Sequence, residues 1–168
     1  MISHVVKDSA PALLGYFLRR VDIPEDAADL VAQTVEAAVR SMRKMPEDQH
    51  RARLWLFGIA RNILQHHHRS IRRHDALVQR LAQTIRDSHV VDDGERMDVR
   101  RAVSELPEDL GELIRLVHWD GFSIDDAARL LNVNPSTARS RHARAKDLLR
   151  AKLSPAPANM QAPESKVT

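Results

Sequence analysis
Cysteine is absent from the 168 residues. That excludes disulfides, thiolate zinc sites and a cysteine nucleophile, and it suits a reducing compartment. Aromatics are scarce, with two Trp, one Tyr and three Phe, too few for a broad platform on which bases stack. No stretch approaches the roughly 20 apolar residues of a membrane span, and no long apolar run follows a basic start. The expectation is a soluble, cytoplasmic protein without a signal peptide. Alternating β-branched residues are few, so strands are not expected. No internal repeat is visible.

What is present is charge, unevenly distributed. Residues 51–86 carry eight arginines and one acid, and residues 127–152 carry seven bases and one acid. Between them, residues 87–126 hold twelve acids and four arginines. Two cationic blocks around an acidic middle could hold a polyanion at two separated places. A single such block would be read equally well as a solvated helix face.

Helical spacing dominates elsewhere. Leu13, Leu14, Phe17, Leu18 and Val21 predict a helix over 11–21. Pro24 with Glu25 and Asp26 opens a second, running to about Met42, striped by Ala27, Leu30, Val31, Thr34, Val35 and Ala38. A loop over 44–48 precedes a third helix, Arg51 to about Arg73, which 74–86 could extend. Its inner side is assigned to Leu54, Trp55, Ile59, Ile63 and His66, its outer side to Arg53, Arg61, Arg69, Arg72 and Arg73. Shorter helices are expected over 98–104 and 108–119. The fold class is all-α, two small helical domains joined by a flexible acidic linker.

The most telling stretch is Gly121–Leu153. Ser123 caps a short helix with an apolar face of Ile124, Ala127, Ala128 and Leu131. Residues 131–134 make a turn, and Asn134-Pro135 opens a second helix with a cap residue and proline at the first helical position. This is the pattern of a DNA-binding helix-turn-helix. On the second helix Ser136, Arg139, Ser140, Ala143 and Arg144 share one face, and Ala138, His142, Ala145 and Leu149 the opposite one. Arginine can grip guanine with two hydrogen bonds, while Ser136 and Thr137 at the helix start suit phosphate. Arg141, Lys146, Arg150 and Lys152 suit phosphate or solvent.

No catalytic constellation appears, so no enzyme activity, metal or cofactor is expected. His66, His67 and His68 point about 100° apart on a helix and do not converge on one ion. Asp125 and Asp126 fit the N-terminal turn of a helix, where acids interact favourably with the macrodipole.

Three stretches together resemble the extracytoplasmic-function sigma factors of bacterial RNA polymerase: PEDAADLV (24–31), WLFGIARN (55–62) and LPEDLGELIRLVHWDGFSIDDAARLLNVNPSTARSRHARAKDLLR (106–150). The likeness covers about residues 10–80 and 99–152. It implies a region 2-like domain over 1–82, a linker over 83–98, a region 4-like helix-turn-helix domain over 99–153 and a disordered tail over 154–168. It also implies that Asp26, Asp29, Leu30, Val31 and Gln33 lie on or near a polymerase-docking face. Asn62, preceded by Arg61, would handle a flipped minus-ten base, on a basic surface with Arg69, Arg72 and Arg73. Arg139, Ser140 and Arg144, with Ser136 and Thr137, would meet the minus-thirty-five duplex. The implied partners are the polymerase core, promoter DNA and an anti-sigma factor. The chain departs from the family pattern at Ala32 and Gln33, where a Gln-Glu pair is common, and at Val35 and Val39, where aromatics are usual. His66 replaces an aspartate, and His142 a leucine or isoleucine. The other reading of the residues is a stand-alone helix-turn-helix regulator that binds duplex DNA unaided.

Overall fold
The computed structural model describes residues 2–81 and 95–153, with side chains from 2–74 and 98–153. Among these residues every regular element is helical. The order is α1 (Ile2–Leu18), α2 (Pro24–Arg40), a 3-10 turn (Met42–Lys44), α3 (Gln49–Leu81), α4 (Glu95–Ser104), α5 (Glu108–His118), α6 (Ile124–Leu131) and α7 (Pro135–Leu153). The expected linker over 83–94 and the expected tail lie outside the described residues. Residues 95–98, assigned to that linker, belong to α4.

The first helix begins earlier than its proline suggests. Pro11 stands inside α1 rather than at its start. Val5, Ser9, Leu13, Tyr16 and Phe17 form one buried stripe through it, and burial of that stripe outweighs the missing N–H of proline. Helix α2 starts at Pro24 as expected and buries Ala27, Leu30, Thr34 and Ala38. Thr34 is wholly buried and donates its hydroxyl to the Leu30 carbonyl, 2.7 Å away. Met42 falls beyond the helix and is exposed.

Helix α3 is capped by Asp48, whose side chain accepts from the Arg51 amide at 2.8 Å. Its buried stripe is Ala52, Leu56, Phe57, Ala60 and Leu64. This corrects the expected inner side: Leu54, Trp55, Ile59 and Ile63 are only partly buried against the core, and His66 is exposed. The reason is that α3 has neighbours on two sides, α1 and α2 on one and α6 on another. A stripe assigned for one packing partner cannot anticipate the second.

The scarce aromatics are used together. Phe17 meets Tyr16 edge-on, Tyr16 meets Phe57, and Phe57 meets Phe122, with centroids 5.3, 5.6 and 5.0 Å apart. Such edge-to-face pairs match the positive rim of one ring to the negative face of the next. The row runs from α1 through α3 to the turn before α6, so one hydrophobic core joins the first three helices to the helix-turn-helix. A second cluster, Val103, Leu106, Leu110, Ile114 and Ala145, ties α4, α5 and α7 together.

Candidate nucleic-acid interface
The helix-turn-helix forms as its sequence dictates. Ser123 Oγ accepts from the Asp126 amide at 3.1 Å and donates to the Asp126 carboxylate at 2.7 Å, a reciprocal cap. Asn132 ends α6 in the left-handed region, φ 54°, which asparagine tolerates. Asn134 Oδ1 accepts from the Ser136 amide and hydroxyl, 2.9 and 2.8 Å away, opening α7. Ala127, Ala128 and Ala138 are fully buried; with no bulk beyond Cβ they let α6 and α7 approach closely.

On α7 the two faces separate as the spacing requires. Ala138 and Ala145 are buried, and His142 and Leu149 partly so. Ser136, Thr137, Arg139, Ser140, Ala143 and Arg144 are all exposed. Arg139 pairs with Asp125 of α6 at 2.8 Å. Arg141 pairs with Asp109 (3.3 Å), Arg150 with Asp147 (2.8 Å) and Lys152 with Glu105 (2.7 Å). Exposed ion pairs of this kind are worth at most about 1 kcal/mol and exchange readily for phosphate.

Helix α3 presents the second cationic surface. Asn62, Arg69, Arg72 and Arg73 are exposed and Arg61 is half-buried. The three adjacent histidines diverge: His66 is exposed, His67 Nε2 lies 3.6 Å from Asp26, and His68 Nε2 lies 3.0 Å from the Arg20 carbonyl. On α2, Asp29 and Gln33 are exposed, and Asp26 and Val31 partly buried. Leu30, 2% exposed, is core and offers no surface to a partner.

One cluster was not foreseen. The Asp120 carboxylate, fully buried, accepts from both Arg19 and Arg20 of the segment after α1, the latter at 2.7 Å. Arg20 also holds Glu112 at 3.0 Å and lies over the Tyr16 ring, 3.8 Å from its centroid. Arg53 donates to the Asp120 carbonyl at 2.9 Å while its guanidinium faces the Phe122 ring. Burial works against the Arg20 charge, but Glu112, Tyr16 and Asp120 outweigh it and push its pKa up. Gly121, φ +73°, makes the turn that lets its neighbours Asp120 and Phe122 both point inward. Nearby, His50 of α3 reaches Asp126 at 3.1 Å. Burial raises the Asp126 pKa, but hydrogen bonds from Ser123 and His50 and the charges of His50 and Arg129 outweigh it and hold it below the usual carboxylate range. In the sequence Asp126 reads as helix-end charge, and Glu112 and Asp120 only as part of the acidic middle; their partners stand about 75 to 100 positions away, where no local pattern can reveal them.

This geometry, two cationic helical surfaces with one on a helix-turn-helix, defines a nucleic-acid-binding class of protein. Residues 5–74 match the family model for sigma-70 region 2 and residues 96–149 that for sigma-70 region 4. The ECF RNA polymerase sigma factor SigC of Mycobacterium tuberculosis is 32% identical over 132 residues, 73% of this chain and 69% of that protein. The ECF RNA polymerase sigma factor EcfG of Rhodopseudomonas palustris is 29% identical over 153 residues, 86% of this chain and 81% of that one. Among solved structures, the sigma factor RpoE of Bartonella quintana, in complex with the anti-sigma factor NepR, superposes with a TM-score of 0.65. It is 26% identical, covering 90% of this chain and 93% of its own. The chain belongs to the extracytoplasmic-function sigma factors of bacterial RNA polymerase. It directs promoter recognition and transcription initiation. Among the described residues no helix is long and apolar enough to cross a membrane.

Proposed function
We propose that the chain divides promoter recognition between its two ends, with residues 1–82 docking on polymerase and reading the minus-ten element and residues 99–153 reading the minus-thirty-five duplex. The observation that carries this reading is the split of α7. Arg139, Ser140 and Arg144 share an exposed face, and Ala138 and Ala145 are buried behind it. Arg139 and Arg144 reach base edges, and Ser136 and Thr137 meet phosphate at the helix start.

Strand opening asks for energy rather than bond chemistry, about 1.4 kcal/mol for each stacked step. A captured base and a cationic track for the single strand offset it. Asn62 and Arg61 serve the base, and Arg69, Arg72 and Arg73 the strand. Asp26, Asp29, Val31 and Gln33 form the polymerase-docking face, with Leu30 supporting it from the core. The chain acts in the cytoplasm with the polymerase core and promoter DNA and catalyses no reaction of its own. The complex of the Bartonella relative with an anti-sigma factor supports such a partner here.

Transcription reconstituted with purified core polymerase on a promoter library tests the reading. Specific transcripts are expected only when chain and polymerase are both present. Tight, specific duplex binding by the chain alone, independent of polymerase, would instead mark a stand-alone regulator.

A further inference from the structure
His142 breaks the apolar pattern of its own helix face, which it shares with Ala138, Ala145 and Leu149. The side chain it meets is equally polar: His118, the last residue of α5, 24 positions back in the chain. The two Nε2 atoms lie 3.0 Å apart. The ring centres are 5.2 Å apart, farther than the nitrogens by about one ring radius on each side, and the ring planes differ by 15°. The rings therefore meet tip to tip in nearly one plane, an N–H of one tautomer donating to the bare nitrogen of the other. Beneath them the cluster of Val103, Leu106, Leu110, Ile114 and Ala145 fixes α5 against α7. Two imidazole nitrogens are thus held together at the surface by a packed scaffold.

We propose that His118 and His142 form a site for a divalent transition-metal ion, Cu(II) foremost, that clamps the end of α5 to the back of α7. Neutral imidazole suits copper, nickel and zinc, and copper binds tightest of the divalent series. No cysteine in the chain competes for the ion. An ion about 2.1 Å from two nitrogens 3.0 Å apart sees them at roughly 90°, the cis angle of a tetragonal or octahedral shell. For the ion to enter, the proton between the rings moves from Nε2 to Nδ1 by way of water, and both lone pairs turn toward the metal. No proton is released, because each neutral ring keeps one. His118 is exposed, which leaves room for that turn. Among the described residues no third histidine, cysteine or carboxylate joins the pair, so water completes the shell. Lys146, which lines the same groove as His118, opposes the ion's charge. The negative end of the α5 dipole, at His118, favours it. These opposed effects make the ion exchangeable. It sits behind the exposed face of Arg139, Ser140 and Arg144 and leaves that face open, however the promoter elements are divided.

Cu(II) added to the full chain carrying His4→Ala tests the site; that background removes the exposed His4–Asp8 pair, a competing set of ligands. At one equivalent, the electron paramagnetic resonance spectrum should show two equatorial imidazole nitrogens. The thermal midpoint should rise by several degrees, because an ion that binds only the folded pair stabilises the fold by mass action. His142→Leu suits the apolar surroundings, and His118→Asn keeps a polar side chain at an exposed position. Each, in the same background, should weaken copper binding at least about tenfold by leaving one ligand where two acted together, and should remove most of the rise. Unchanged copper affinity in either folded variant overturns the proposal. So does a spectrum with a single nitrogen, or a bound ion that leaves the midpoint where it was. Circular dichroism establishes which variants fold; either suffices, and the spectrum and midpoint of the intact pair decide if neither does.

Discussion

Arg139 Nη1 lies 2.8 Å from Asp125 Oδ1, so the first helix of the helix-turn-helix holds an arginine of the recognition helix before any DNA arrives. Both side chains are more than half exposed, and the pair contributes at most about 1 kcal/mol to stability. Asp125→Ala should therefore shift the urea midpoint little, and it should strengthen duplex binding by removing a negative charge beside the phosphates. Arg139→Ala should weaken use of a specific upstream element by about 1–3 kcal/mol while polymerase binding stays intact. Competition between promoters that differ only in that element measures it. Equal loss on every sequence would make Arg139 a phosphate contact.

Asn62 is exposed on α3 beside the half-buried Arg61. Asn62→Ala removes hydrogen bonds worth about 1 kcal/mol and should reduce open-complex formation severalfold without altering docking. Permanganate reactivity of unpaired thymines, compared with polymerase affinity, separates the two. An unchanged minus-ten preference would remove Asn62 from the site.

The His118 and His142 rings meet Nε2 to Nε2 at 3.0 Å between α5 and α7. Desolvation, then the neighbouring His118 and Lys146, hold the His142 pKa below its usual value. Its folded pKa is thus lower than its unfolded one, near 6.5. The associated stability is present above about pH 6.5 and is lost as pH falls from there through the folded pKa. Thermal melts at pH 7.5 and 5.5 should show a smaller acid-induced drop for His142→Leu than for the unaltered chain.

Pro11 is exposed and internal to α1. Proline there removes a helical hydrogen bond and crowds the carbonyl four residues earlier. Pro11→Ala should raise stability by about 1–3 kcal/mol, read as a higher urea midpoint with an unchanged slope. No gain would indicate that the segment before Pro11 adds little to the folded state.

The amino-acid sequence determined the local devices by itself. The Ser123 cap, the Asn134-Pro135 opening of α7 and its two faces follow from interactions within a few residues, which any segment carries with it. The acids at the start of α6 were legible as helix-end charge, but the His50 partner of Asp126 was not. Only the tertiary structure decided that Phe57 rather than Trp55 enters the core, because the ring that covers Phe57 comes from Phe122. It also decided that Asp120 binds two arginines 100 positions and more away. Contacts between residues so far apart depend on which surfaces meet when the helices pack. Periodicity along one helix says which faces are apolar, not which neighbour covers them.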